Sequence, residues 1–224
     1  RRDVALPDYP EITTSQQMLD KGREIAARHD YRGGFIANEY WHGTRPPSNE
    51  LEKAKYGLRN AILHASNDIL FFWCETWHNY NPKATAGLLR VGPSGSPDTS
   101  QAPAPVYYGL RTLCTVMDEA RPTSTLDISA GNQTDAIEMH EFSSPGGKLI
   151  ALWRPIDADD TSQAIKTDVL IQGKRTDGLE ILDILNGTTQ KGQFHHVNNG
   201  TLVPDLLVRD FPVFLKLTGT DHAS

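Results

Sequence analysis

Between residues 14 and 73 the chain runs twice through the same short programme: a helical pattern, then a continuous apolar run, with few residues between them. Thr13-x-x-Gln16 has the form of a capping box. Met18, Gly22, Ile25, Ala26 and His29 then keep helical spacing, which predicts a helix over about 14–29. Gly33-Gly34 breaks the chain before a strand at 35–39. After Pro46-Pro47-Ser48 a second helix carries Leu51, Ala54, Leu58, Ala61, Ile62 and Ala65 as one stripe. Glu50, Glu52, Lys53, Arg59 and Asn60 lie opposite that stripe and are expected to face water. Ile69-Leu70-Phe71-Phe72-Trp73 follows, too unrelieved in its apolarity to predict a wet face. Helix, strand, helix, strand with short connections implies parallel strands covered by helices.

The two strands end alike. The first ends in Asn38-Glu39-Tyr40-Trp41-His42 and the second in Trp73-Cys74-Glu75-Thr76-Trp77-His78. A carboxylate where a buried strand meets its loop is a costly placement unless it is used. In barrels and open α/β sheets the carboxyl ends of strands hold ligands and catalytic groups. Glu39 is therefore the candidate catalytic residue. The bland alternative is a strand-end carboxylate bonded to backbone or to a neighbouring Arg. Trp73 reads either as sheet core or as a site residue. Trp41 and Trp77, beside His42 and His78, suit stacking on a sugar ring while amides, carboxylates and imidazoles bond its hydroxyls.

Residues 79–104 hold four prolines among Gly and Ser, and read as a long irregular loop. Pro105 opens a third helix as its first residue, with Val106, Gly109, Leu110, Leu113, Val116/Met117 and Ala120 on one side and Arg121-Pro122 as its stop. From 123 onward the pattern becomes β. Runs at 124–128, 135–142, 148–154, 166–172, 179–184, 189–197, 201–208 and 212–218 are separated by turn signals such as Asp177-Gly178 and Asn186-Gly187. About eight antiparallel strands of this spacing suit a β-sandwich. It is expected to pack on the first half through helix 105–121.

The 224 residues carry a net charge of −6 with no basic stripe, which argues against a nucleic-acid partner. The longest apolar run, Ile69 to Cys74, is far too short to cross a membrane. Cys74 and Cys114 sit in apolar patterns and read as free, buried thiols. No phosphate loop and no zinc spacing occur, and no metal or cofactor is expected. Asp157-Ala158-Asp159-Asp160 lacks the Gly of a calcium loop and reads as an acidic turn. His195-His196, inside a strand pattern, places its members on opposite faces. The chain opens on Arg1-Arg2-Asp3-Val4, which reads as the interior of a longer polypeptide; compartment is not legible from it.

Several of these residues together resemble a known group. Asn38-Glu39-Tyr40-Trp41, the Phe- and Trp-rich strand at 69–73, Gly87-Leu88-Leu89, and the helix from Pro105 to Arg111 are followed by a β-domain. This arrangement resembles the C-terminal part of clan A retaining glycoside hydrolases, family 39-like, which carry an appended β-sandwich. The resemblance implies an α/β plus all-β chain. Residues 1–121 would be the C-terminal portion of a (β/α)8 TIM barrel, incomplete in this chain, and 122–224 a β-sandwich accessory domain. It implies a carbohydrate substrate with β-linked sugars and a double-displacement mechanism with Glu39 as nucleophile. Asn38, Tyr40, Trp41, His42, Trp73, Glu75, Trp77 and His78 would contact substrate. The acid/base Glu of that superfamily ends a strand not present here, so the barrel would need an upstream segment or a partner chain. A non-catalytic carbohydrate-binding protein with a barrel remnant, and an unrelated α/β enzyme pairing Glu39 with Glu75, remain open alternatives.

Overall fold

The computed structural model describes residues 14–40, 50–73, 87–90, 103–123, 128–131, 137–173, 175–198 and 200–219. The first part contains α1 (Thr14–Arg28), β1 (Phe35–Tyr40), α2 (Glu50–Ser66), β2 (Ile69–Trp73) and α3 (Pro105–Val116). β1 and β2 are parallel, with Phe35, Ile36 and Ala37 opposite Ile69, Leu70 and Phe71. Both turns into these strands use a left-handed aspartate, Asp30 at φ 54° and Asp68 at φ 56°, a conformation that short polar side chains tolerate. Arg23 of α1 reaches across to that second turn, donating to Asn67 Oδ1 at 2.8 Å and to the Asn67 carbonyl at 2.6 Å.

The remainder is antiparallel. β3 (Arg121–Pro122), β5 (Glu138–Ser144), β6 (Gly147–Trp153), β12 (Val213–Thr218), β8 (Gly178–Asp183) and β9 (Thr188–Lys191) form a six-stranded sheet in the order β3-β5-β6-β12-β8-β9. β10 (His195–Val197), β11 (Gly200–Val208), β7 (Ile165–Gln172) and β4 (Ile128–Ala130) form a four-stranded one in the order β10-β11-β7-β4. The chain is thus a mixed helix–sheet structure whose sheets are mostly antiparallel.

Alternation along β6 and β12 explains the layering. Ile150, Leu152, Leu215 and Leu217 share an apolar cluster with Val169, Ile171, Val203 and Val208 of the four-stranded sheet. Their neighbours Leu149, Ala151, Trp153 and Phe214 belong to a second cluster with Leu58 and Ile62 of α2 and Leu113 of α3. The six-stranded sheet therefore has both central faces covered. An antiparallel strand can read as continuously apolar, as Leu149-Ile150-Ala151-Leu152-Trp153 does, only when neither face meets water.

Several expectations need correction. The 189–197 run is two strands in two sheets, broken at Gly192, where an added Cβ would fall 2.5 Å from Leu179 Cδ2. α3 stops at Val116, and left-handed Glu119 (φ 58°) turns the chain so that Arg121-Pro122 pairs with Ser143-Phe142. Cys114 is exposed on α3, and Cys74 lies outside the described residues. Packing of helices on the six-stranded sheet runs through α2 as well as α3.

The largest correction concerns α2. Every residue from Lys53 to His64 is buried, including Lys53, Lys55, Arg59 and Asn60, because the six-stranded sheet and α3 cover the apolar stripe while main-chain carbonyls and Asp210 meet the cations. Lys55 Nζ lies 2.9 Å from Asp210 Oδ2, with side-chain exposures of 4% and 1%, and also donates to the Asp159 carbonyl at 2.7 Å. Arg59 donates to the carbonyls of Ile156 and Arg154, both at 2.8 Å. The Ala158 N–H donates to the Tyr56 phenol oxygen at 3.0 Å, and burial pushes that phenol's pKa up to about 12. Asp157-Ala158-Asp159-Asp160 is thus a turn that receives α2.

Removing one partner of such a buried pair leaves an uncompensated charge, which costs about 3–5 kcal/mol. We expect Lys55→Met and Asp210→Asn each to lower unfolding free energy by about that amount in urea titrations. The Lys55→Met/Asp210→Leu double variant should recover much of the loss. Additive losses in the double variant would show that the pair is not coupled.

Candidate active site

β1 and β2 carry the residues that the sequence singles out. Their register shifts once: Ala37 pairs with Phe71, but Tyr40 pairs with Trp73. Two β1 positions, Asn38 and Glu39, therefore stand against the single β2 position Phe72. A one-residue irregularity of this kind re-aims side chains and recurs beside active sites. It falls on the candidate carboxylate.

The sheet has one open face. Ile36, Leu70 and Phe72 are 61%, 58% and 48% exposed, whereas Ile69 is buried and Phe71 and Trp73 pack against the helix-side core. This overturns the expectation that strand 69–73 has no wet face. Helices α1 and α2 also differ: α2 is enclosed, while Ile25 of the α1 stripe is 47% exposed.

Trp73, expected among the substrate contacts, lies on the helix side. A Cβ on Gly57 would fall 2.7 Å from its Cζ3 atom, so the indole lies against the α2 backbone where only glycine leaves room. The Lys53 ammonium sits 5.8 Å from the ring centroid and donates to the Gly87 carbonyl. Below it, His64 faces Phe71 with ring centroids 5.4 Å apart, and its Nδ1 is 2.8 Å from the Asn60 carbonyl.

The segment Gly87–Arg90, part of the long loop, is held at several points. Arg90 Nε donates to both Glu50 carboxylate oxygens, at 2.8 and 3.0 Å, and these bonds raise the Arg90 pKa. The Ala104 N–H donates to the Leu88 carbonyl at 2.8 Å, and Leu89 bridges Pro103. β1, β2, α2 and α3 thus deliver their site-proximal ends to one edge.

Of the expected site residues, Asn38, Glu39 and Tyr40 are placed by their backbone in β1, and Trp73 by its backbone and side chain in β2. Trp41, His42, Glu75, Trp77 and His78 lie outside the described residues. Sequence reading missed Lys53 and Gly57, whose signals were a lysine and a glycine on an otherwise regular helix. Elsewhere, a cleft of about 540 Å³ runs between β9 and β11, lined by Gln190, Lys191, Leu207 and Phe211 among others, with no residue from β1 or β2. His195 and His196 are both exposed. Among the described residues no group of three His, Cys, Asp or Glu side chains could hold a metal ion, and no helix is long and apolar enough to cross a membrane.

No family model matches the sequence, and no curated protein matches it. Among solved structures, the catalytic domain of GH30 xylanase C from Talaromyces cellulolyticus aligns with 84% of this chain and 41% of its own, at 12% identity and a TM-score of 0.48. The rhamnosidase from Novosphingobium sp. PP1Y aligns with 51% of this chain and 10% of its own, at 18% identity and a TM-score of 0.31. Both neighbours are glycoside hydrolases, and the chain spans well under two thirds of either.

Burial pushes the His64 imidazole below its ordinary pKa of 6.5. The folded state then holds a neutral ring that the unfolded chain protonates first, so this contribution is present above 6.5 and lost as pH falls. We expect wild type to lose more melting temperature than His64→Gln between about pH 8 and about pH 5. Parallel pH profiles would contradict that assignment.

Proposed function

We propose that this chain is the C-terminal portion of the barrel of a retaining glycoside hydrolase, family 39-like, followed by a β-sandwich accessory domain. Residues 1–121 supply the barrel portion and 122–224 the accessory domain. The substrate is a carbohydrate with β-linked sugars.

The supporting observation is the parallel pair β1–β2 with helices on one side and Ile36, Leu70 and Phe72 bare on the other. Two parallel strands do not make a closed sheet, and a parallel sheet is stable with both faces covered. The bare face is what the interior of a barrel looks like when its other strands are elsewhere, in an upstream segment or a partner chain. The irregularity sets the backbone positions of Asn38 and Glu39 against Phe72, whose own side chain is on the bare face.

In the completed site Glu39 attacks the anomeric carbon. A second carboxyl, about 5 Å away and outside this chain, protonates the leaving oxygen and then activates water. This mechanism requires an ionised nucleophile and a partner acid of raised pKa. Asn38, Tyr40, Trp41, His42, Glu75, Trp77 and His78 contact the sugar, while Trp73 packs on the helix side at the end of β2. The reaction needs no cofactor.

Two experiments test this. Leu70→Ala and Phe72→Ala should change the stability of the 224-residue chain by no more than about 0.5 kcal/mol, as at exposed positions. In the completed protein each should cost about 2 kcal/mol or more, as in a core; equal small effects in both would remove the barrel reading. The second test concerns Glu39. In the completed protein Glu39→Gln should lower turnover by orders of magnitude while substrate still binds. Glu39→Gly should regain activity with azide, giving a glycosyl azide of inverted configuration. A product of retained configuration would instead assign Glu39 as the acid/base, and unchanged turnover in the Gln variant would end its catalytic role.

A further inference from the structure

Lys53 is fully buried near the carboxyl end of β2. Burying an ammonium is costly, and the cost persists only where the surroundings compensate it. Its contacts join two separate stretches of chain. Its Nζ donates to the carbonyl of Gly87 and stands 5.8 Å from the centroid of the Trp73 indole, within the range where a cation is attracted by the face of a tryptophan. One turn along α2, Gly57 removes the Cβ that would otherwise meet Trp73 Cζ3 at 2.7 Å and Val106 Cγ2 at 3.3 Å. The indole is thus seated on α2 by a glycine and held by a lysine four residues away.

Trp73 and Gly87 are the last described residue of β2 and the first described residue after it. Resting on the active-site reading above, we propose that Lys53 is a positioning residue for substrate binding. Its ammonium fixes where the chain leaves β2, through the Trp73 ring, and where it returns, through the Gly87 carbonyl. It touches no substrate itself. A lysine suits this task because its three donors serve a carbonyl and an aromatic face at once, which an apolar residue of the same length cannot do.

The test uses the completed protein in the Glu39→Gln background, where binding is measured without turnover. Cellohexaose and xylohexaose serve as probes in titration calorimetry. Lys53→Met keeps an unbranched side chain of nearly the same length and removes its charge and donors. It should weaken binding of whichever oligosaccharide wild type binds by about tenfold or more, a loss of about 1.4 kcal/mol. Its tryptophan emission should also shift, and that shift should vanish in a Trp73→Phe background. Lys53→Arg, which keeps charge and donors, should retain more of the affinity than Lys53→Met. Should Lys53→Met fail to fold, Gly57→Ala displaces the same ring from its seat without touching the charge, and must weaken binding in the same direction.

A folded Lys53→Met protein with unchanged dissociation constant overturns the proposal, whatever its melting temperature. So does an emission shift that survives in the Trp73→Phe background. These outcomes leave the active-site reading intact, because that reading fails separately, through undiminished turnover in Glu39→Gln.

Discussion

Between Lys53 and His64, helix α2 has no side left for water. Its apolar residues meet the six-stranded sheet and α3, and its cations are met by carbonyls, a carboxylate and aromatic rings. An enclosed helix of this composition is stable only in the company of those partners, since each unmatched buried charge would cost several kcal/mol. The position of α2 in turn sets that of β2, whose Phe71 and Trp73 lie on it, and β2 sets the register of β1. The helical half and the antiparallel half share one cluster of core residues through this helix.

Against that enclosed helix stands the opposite face of the parallel pair. Ile36, Leu70 and Phe72 form an apolar surface next to the strand positions with the most chemistry-bearing residues. Isolated exposed apolar residues are ordinary on a protein surface. Three on one face of a two-stranded parallel sheet are different, because such sheets bury both faces. The same geometry that leaves the face open sets Asn38 and Glu39 against Phe72. The open face and the candidate carboxylate therefore have one explanation in the proposed barrel.

Much of this was legible in residue pattern. Periodicity marked α1, β1, α2 and β2 almost to the residue, because each switches abruptly between helical spacing and an unbroken apolar run. Turn signals such as Asp177-Gly178 and Asn186-Gly187 located most of the β-strands. Burial was less legible. Lys53 and Arg59 read as part of a solvated helix face, since nothing local reveals that the carbonyls of Gly87, Arg154 and Ile156 will meet them from far along the chain. Leu70 and Phe72 read as interior for the converse reason: composition reports what a residue is suited to contact, and not whether this chain supplies the contact. The irregularity at Asn38 and Glu39 also escaped, because an extra residue in one strand shows only once its partner is in place.

The central claim is that Glu39 forms a covalent bond to the sugar during turnover. It is tested most directly by trapping that bond. The completed protein would be incubated with activated 2-deoxy-2-fluoro β-glycosides, which form the glycosyl-enzyme and release it slowly, then digested and read by peptide mass spectrometry. The account predicts one added fluorosugar, on the peptide containing Glu39 and localised to that residue by fragmentation. A label carried by any other carboxylate, in an enzyme that turns over the parent glycoside, would contradict it.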